Sequence, residues 1–384
     1  MEESTKYLEF LKFCLNPGCQ VPESISSINW HDLMEFGVKQ CISGLYIPTL
    51  LMKDGRLTVA DFRGNKPTDD DVMEWVFEDL RLRKMNGVLF GRTQKASEWF
   101  LENGFRNCIL KGQGNAIMYP DPYLRTCGDV DIWLEGTREE ILAFTTKYYN
   151  RPASSLHVDF PMFGDAEVEV HFRPSRFYNP KKTKKLWAYF DEVAPTQFSN
   201  KVTSPDGKYS FYVPTNEFNV FYQLNHVFRH FINEGIGLRQ VIDYFYLLRK
   251  RRDDGATPED DKQLVALLKR FGMYGFATAM MYVQKEVLGL DSKYLYAKPN
   301  KKKGEFLLEE MLFAGNFGHS EKRLHSKLDE AEGHFKRFWI LESFRFRLFK
   351  HFPSEAIWMP YKDVRDFVLR KKKEKEEAEA GSED

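Results

Sequence analysis

Two aspartates in one strand-like stretch, Asp129 and Asp131, are the residues of this sequence best placed for chemistry. Because successive side chains of a strand point to opposite faces, the two carboxylates are predicted to project side by side, with Val130 and Ile132 on the other face. Such a pair repels itself and needs a cation, a shared proton or cationic side chains beside it. Divalent ions bound through carboxylates and substrate phosphates are the usual solution, which indicates Mg²⁺ with a nucleotide.

A third acid follows in a second strand-like stretch, Glu167-Val-Glu169-Val-His171, which alternates charged and apolar residues. Glu167, Glu169 and His171 therefore share one face, and either glutamate is a candidate for the third carboxylate of a metal site. His171 is expected to hydrogen-bond the site and not to ligate the ion, since hard Mg²⁺ prefers oxygen ligands.

A glycine-rich turn, Lys111-Gly112-Gln113-Gly114, precedes the aspartates and follows a short apolar strand pattern. Its glycines would allow the backbone to approach a phosphate closely, and a helix that starts there would point N–H groups at it. Lys111, as a point charge, and Arg125, in bidentate fashion, could neutralise phosphate charge. The alternative is that both cations only balance the acidic pair.

Taken together, a glycine turn after a strand, an Asp-x-Asp on the next strand and a later acid resemble the nucleotidyltransferase superfold of the polymerase-beta type. More narrowly, the sequence resembles the uncharacterised bacterial nucleotidyltransferase family, whose relatives include antitoxin-like nucleotidyltransferases. The motifs that carry the resemblance are Leu110-Lys111-Gly112, Arg125, Gly128-Asp129-Val-Asp131 and Glu169-Val-His171, with weaker similarity at Trp30-His31, Phe36-Gly-Val, Gly237-Leu-Arg239 to Asp243, Phe352-Pro353-Ser354 and Tyr361. One departure is the turn, where the superfold usually has Gly-Gly or Gly-Ser and this chain has Gly112-Gln113.

The resemblance implies Mg²⁺-dependent transfer of a nucleoside monophosphate from an NTP to a hydroxyl acceptor. It implies two ions held by Asp129, Asp131 and Glu169, which are also the catalytic residues, with Glu169 helping to remove the proton of the acceptor. The nucleotide-binding residues that it implies are Lys111, Gly112, Gln113, Arg125 and Gly128. The preferred base stays open, as does the acceptor, which is a protein side chain, an RNA end, a sugar or an antibiotic. The alternative function is a catalytically inactive protein of this fold that binds nucleotide or a partner.

The composition indicates a globular chain of 384 residues, with 42% hydrophobic and 15% aromatic residues. The formal net charge of +0 gives no global field for nucleic acid, so that a nucleic-acid partner would need a local basic cluster at Lys181 to Lys185 or Lys301 to Lys303. The five cysteines are odd in number and form no C-x-x-C pair, which argues against a disulfide framework and a zinc site. The N-terminus lacks the features of a signal peptide, and no apolar run approaches the roughly 20 residues that span a bilayer. A cytoplasmic protein without a membrane partner is expected.

The order of strand and helix patterns predicts an α+β fold with a mixed sheet. We expect a helical N-terminal region over 1–103, a nucleotidyltransferase α/β core over 104–204, a helical C-terminal domain over 205–369 and a charged tail over 370–384.

Three residues of the C-terminal region stand near these motifs or have metal-ligand spacing. Asp243 is expected either to face the site or to pair with Arg239 one helical turn away. His226 and His230 have the i, i+4 spacing of metal ligands, but His-Glu-x-x-His is absent. They are therefore interpreted as core histidines or as histidines that support the site.

Overall fold

A computed structural model of the protein describes residues 2–314, Trp339, Glu342 and 346–368. The predicted tail over 370–384 lies outside these residues. The N-terminal part contains the helices α1 (Glu2–Leu15), α2 (Trp30–Lys39), α3 (Ser43–Leu50) and α4 (Asp69–Glu102). Among the described helices, none combines the length and the apolar character needed to cross a membrane.

Among the described residues, α4 is the longest element, with 34 residues, which corresponds to about 50 Å. It begins at a capping box, in which the Thr68 side chain accepts from the backbone N–H of Asp71 and the Asp71 carboxylate accepts from that of Thr68. Three aspartates in its first turn also favour the helix, because they face the positive end of the helix dipole. The helix packs against α3 at one end and against the sheet at the other.

The central sheet has four strands: β1 (Asn107–Ile109), β2 (Val130–Leu134), β3 (His157–Asp159) and β4 (Val168–His171). Their order across the sheet is β1-β2-β4-β3, with β2 and β4 parallel and the two outer pairings antiparallel. The helices of this part of the chain are α5 (Gln113–Ala116), α6 (Arg138–Thr145) and α7 (Pro180–Val193). This mixed sheet among helices confirms the predicted α+β fold class.

The two faces of the sheet pack into different hydrophobic clusters. On one face Val130, Ile132 and Val170 lie among aromatic residues of α4, including Phe90 and Phe100. The other face carries Trp133, which belongs to the larger cluster formed with the helical regions. The acidic residues lie on this second face, because they alternate along the strands with the valines and Ile132.

The C-terminal part is helical after a two-stranded hairpin. Its elements are β5 (Lys201–Thr203), β6 (Ser210–Tyr212), α8 (Asn216–Asn233), α9 (Leu238–Asp253), α10 (Pro258–Arg270), α11 (Tyr274–Tyr282), α12 (Lys301–Ala314) and α13 (Pro353–Ala356), with further helical turns over 346–351 and 359–368. The hairpin crosses the boundary expected at 204, and the N-terminal and C-terminal helices share one hydrophobic cluster. The division into domains therefore stays a prediction.

Gly44 marks the closest approach of α3 to the chain that leads into β2. A Cβ added at Gly44 would lie 1.9 Å from the carbonyl oxygen of Leu124, whereas a Cβ at Gly87 in the middle of α4 would meet nothing within 4 Å. We expect Gly44→Ala to lower the free energy of unfolding by about 1–3 kcal/mol through overpacking. Gly87→Ala should raise it by roughly 0.5–1 kcal/mol, because glycine is unfavourable inside a helix. Urea unfolding measures both, and equal stabilities would contradict the packing of α3.

Candidate active site

The register of β2 and β4 brings the acidic residues together. Asp131 pairs with Glu169 across the two parallel strands, and Asp129 stands just before β2. The carboxylates of these three residues each offer one oxygen, and the three oxygens lie within 4.8 Å of one another. Asp131 is buried, whereas Asp129 and Glu169 are half-buried. Glu167 is exposed, so the geometry favours Glu169 as the third acid.

The carboxylate of Asp131 tests whether these residues fit a divalent ion. Its Oδ1 atom lies 2.9 Å from both Lys111 Nζ and His171 Nε2, whereas its Oδ2 atom is buried and accepts no hydrogen bond from the described residues. A buried oxygen without a donor is costly. A hard cation bound between the three carboxylates would satisfy it, so the donor set fits Mg²⁺.

His171 hydrogen-bonds two of the three acids. Its Nε2 atom lies 2.9 Å from Asp131 Oδ1 and 3.2 Å from Glu169 Oε2. Burial acts to lower the pKa of His171, but the hydrogen bonds to the two carboxylates outweigh burial and raise it to about 9. Without a bound metal ion, His171 therefore carries its proton at neutral pH and acts as a counter-charge for the acids.

The two aspartates have opposite electrostatic environments. Burial acts to raise the pKa of Asp131, but the charges of Lys111 and His171 hold it well below its usual range. The pKa of Asp129 is raised, first by the negative charge of Asp131 and then by burial. Asp131 is thus ionised at neutral pH, and Asp129 is the acid of the pair that takes up a proton more readily.

His157 of β3 is a site residue that the sequence analysis did not single out. Its Nδ1 atom lies 3.1 Å from Glu169 Oε2, and the residue stands opposite His171 in the β3–β4 register. His157, Glu169 and His171 form a second group whose potential ligand atoms lie within 4.8 Å. The alternation in Leu156-His-Val-Asp is typical of a strand, but no local signal indicates which strand it pairs with.

The glycine turn lies directly against the strand that carries the acids. Gly112 has a φ of +51°, which favours glycine, and a Cβ there would lie 3.0 Å from the carbonyl oxygen of Asp129. A Cβ at Gly114 would lie 3.0 Å from the carbonyl oxygen of Ile109, so this glycine serves close packing and not the approach of a phosphate. The turn is therefore held against β1 and β2.

Gln113 does not present its side chain to the cleft. The side chain is 1% exposed, and its Nε2 atom donates to Asn86 Oδ1 of α4 at 2.9 Å. Gln113 thus ties the turn to α4 through its amide nitrogen. Its assignment to nucleotide binding, implied by the resemblance, stays a prediction.

Arg125 forms a buried ion pair with Asp243 of α9. Its Nε and Nη2 atoms each donate to one Asp243 oxygen at 2.7 Å, and the Tyr119 hydroxyl donates to the same carboxylate at 2.7 Å. Asp243 thus pairs with Arg125, while Arg239 donates to the Thr126 carbonyl oxygen at 3.2 Å. With its guanidinium occupied in this way, Arg125 joins the segment before β2 to α9. The assignment of Arg125 to nucleotide binding, implied by the resemblance, stays a prediction.

The acids line one side of a cleft of about 1840 Å³. Gly128 is exposed at its rim, where a Cβ would meet nothing within 4 Å. The part of the lining that comes from α8 and α9, here called the helical wall, includes His226, Arg229, His230 and Arg239. Burial is the first cause that lowers the pKa of both histidines, so each is neutral. Among the described residues, neither histidine belongs to a group of three potential metal ligands.

A mixed four-stranded sheet with a glycine turn and three clustered carboxylates defines a nucleotidyltransferase-type α+β protein. Comparison with protein families matches residues 63–289 to the family described as uncharacterised nucleotidyltransferase. The match covers more than half of the chain, so the protein belongs to this family. This confirms the resemblance, and membership indicates nucleotidyl transfer as the general activity. Comparison with curated proteins gave no match.

The buried ion pair of Arg125 and Asp243 predicts a large effect on stability. Asp243→Asn would leave the Arg125 guanidinium buried without a counter-charge, and we expect it to lower the free energy of unfolding by about 3–5 kcal/mol. Tyr119→Phe removes only one hydrogen bond to the same carboxylate and should cost about 1 kcal/mol. Denaturant unfolding measures both. An Asp243→Asn protein as stable as Tyr119→Phe would show that Arg125 does not depend on this partner.

The raised pKa of His171 predicts a stability that falls with rising pH in the metal-free protein. The folded-state pKa of about 9 lies above the ordinary value of 6.5. The stabilisation is therefore complete below pH 6.5 and is lost as pH rises through 9. The shift bounds the loss at roughly 3 kcal/mol. Urea unfolding in EDTA across this range measures it, and His171→Gln should flatten the profile. An unchanged profile in His171→Gln would contradict the assignment.

Proposed function

We propose that this protein is a Mg²⁺-dependent nucleotidyltransferase that moves a nucleoside monophosphate from an NTP to a hydroxyl acceptor. In this reaction the acceptor oxygen bonds to the α-phosphorus, the bond to the β-phosphate breaks, the hydroxyl loses its proton and pyrophosphate leaves. The observation that supports the proposal best is the group of three carboxylates within 4.8 Å around the unpartnered Oδ2 of Asp131. Mg²⁺ held by Asp129, Asp131 and Glu169 would neutralise phosphate charge and lower the pKa of the acceptor hydroxyl.

Glu169 serves better as a metal ligand than as a general base. Burial acts to raise the pKa of Glu169, but the hydrogen bond from His171 lowers it below its ordinary value. A base with a lowered pKa takes a proton poorly near neutral pH. We therefore propose ligation as the first role of Glu169, with His171 fixing the direction of its carboxylate.

Lys111 is the proposed phosphate contact that the geometry supports best among the implied residues. Its Nζ atom lies in the cleft at 2.9 Å from Asp131 Oδ1. A phosphate bound to an ion on these carboxylates would lie beside this ammonium group. The ion would then replace Lys111 as the counter-charge of Asp131.

The second candidate function is a catalytically inactive protein of this family that binds a nucleotide or a partner. Two observations favour it. The side chain of Gln113 is buried against Asn86, and the guanidinium of Arg125 is occupied by Asp243. The side chains of two of the implied phosphate contacts are thus engaged inside the protein, whereas Lys111 and the acidic group line the cleft.

A thermal-shift panel of ATP, GTP, CTP and UTP, each with and without Mg²⁺, tests the proposal. At 100 times the dissociation constant a ligand stabilises by about 2.7 kcal/mol, so wild type should melt higher with Mg²⁺ and at least one NTP. The shift should vanish in Asp129→Asn and Glu169→Gln. Asp159→Asn is the matched control, because Asp159 is exposed and pairs with Glu169 in the neighbouring strand.

The panel also separates the two candidate functions. A shift that needs both metal and acids, followed by release of pyrophosphate with an acceptor present, supports the transferase. A shift without any pyrophosphate release supports the inactive binding protein. No shift with any of the four nucleotides would sink the proposal.

A further inference from the structure

Two arginines of the helical wall, Arg229 of α8 and Arg239 of α9, line the cleft. The Nη2 atom of Arg229 donates to His230 Nε2 at 2.9 Å, and the Nη1 atom of Arg239 donates to the Thr126 carbonyl oxygen at 3.2 Å. Both acceptors are neutral. The Nε atoms of both arginines are buried and have no hydrogen-bond partner in the part of the chain that the structure describes. The two guanidinium groups each carry five N–H donors, and both residues are half-buried at the cleft, so hydrogen-bonding capacity is left for a ligand.

The direction of Arg229 is fixed through His230. The Nδ1 atom of His230 lies 3.1 Å from Glu234 Oε2, which leaves its Nε2 atom as the acceptor for Arg229. Burial is the largest cause that lowers the pKa of His230, so the ring is neutral. Arg229 therefore donates to an uncharged acceptor. The arginine is thus held in position while its own charge is kept.

Both arginines line the same cleft as the acidic group. Gln223 of α8 donates to Asn115 Oδ1 at 2.6 Å, which places this point of the helix beside the glycine turn. Arg229 follows six residues later on α8, a rise of about 9 Å. Arg239 contacts Thr126, three residues before Asp129. Asn115, Gln223 and Thr126 line this cleft as well.

The positive charge of Arg229 acts on the residues around it. The pKa of Arg176 is lowered, first by burial and then by the neighbouring charge of Arg229. Burial and then the charge of Lys111 lower the pKa of His226, with a further contribution from Arg229. One wall of the cleft thus suits a metal ion and the other suits an anion. A ligand that meets both carries several negative charges and binds a divalent ion, as a polyphosphate does.

We propose that Arg229 and Arg239 bind the two phosphates of the NTP that leave together as pyrophosphate. This inference rests on the proposed function. Guanidinium groups suit the task because they bind phosphate oxygens in bidentate fashion. They would make the phosphate contacts that the side chains of Arg125 and Gln113 do not make, because those two side chains are engaged inside the protein.

Calorimetric titration with inorganic pyrophosphate and Mg²⁺ tests the inference without requiring turnover. Arg229→Gln and Arg239→Gln should each weaken pyrophosphate binding about 10- to 100-fold, the effect of one charge-assisted contact. Arg249→Gln is the matched control, because Arg249 is also half-buried and lies on α9, where it contacts the rings of Phe245 and Tyr294. Its affinity should equal that of wild type. Arg229→Lys and Arg239→Lys, which keep the charge, should recover part of the loss.

A second titration with Mg²⁺ and an NTP, and a third with the corresponding NMP, separate the two proposals. Weaker binding of NTP and pyrophosphate with unchanged binding of NMP in the glutamine variants supports the inference. If wild type binds the NTP and both variants bind it and pyrophosphate equally well, the inference is wrong and the proposed function stands. If pyrophosphate binds through the arginines but no NTP binds, the anion site stands and the proposed function fails. If wild type does not bind pyrophosphate, the inference is overturned.

Discussion

The parallel pairing of β2 with β4 is the constraint on which the site depends. It sets Asp131 opposite Glu169 and Trp133 opposite His171. Because side chains alternate along a strand, a slip of one residue would turn Glu169 and His171 toward the apolar cluster around Phe90 and bring Val168 or Val170 into the cleft. The valines therefore do more than fill the core. Their burial against α4 fixes the register in which the three carboxylates meet.

The charge arrangement follows from this register. Three acids on one face repel one another. Lys111 from the turn and His171 from the same strand as Glu169 compensate this negative charge. These cations stabilise the face when no metal ion is bound. Arg229 of α8 and Arg239 of α9 add positive charge to the same cleft.

The sequence predicted the local parts of this picture and little of the rest. Alternation with a period of two showed that Asp129 and Asp131, and likewise Glu169 and His171, share a face, because that property is set by neighbouring residues. The same motifs predicted the fold class and the family, which the structure and the family comparison then confirmed. The position of Glu169 beside the aspartates came from the resemblance, since no local pattern tells which strands pair.

The sequence could not show the partners of polar residues that contact distant parts of the chain. Gln113 binds an amide 27 residues away, and Arg125 binds a carboxylate 118 residues away. A polar residue near a functional motif looks the same in sequence whether it faces a ligand or a buried partner. His157 was missed for the same reason. The sequence did not show that β3 pairs with β4 and so places His157 beside Glu169 and His171.

The hydrophobic cluster shared by the first and last helices has a consequence for how the protein folds. Phe10 and Trp30 from the N-terminal helices lie in one cluster with Phe245 of α9, and the Asn16 side chain donates to the Leu288 carbonyl oxygen at 2.7 Å. The segment that matches the family begins only at residue 63. A chain shortened to that segment would expose the surface that these N-terminal residues cover. The segment that matches the family is therefore smaller than the packed unit to which it belongs.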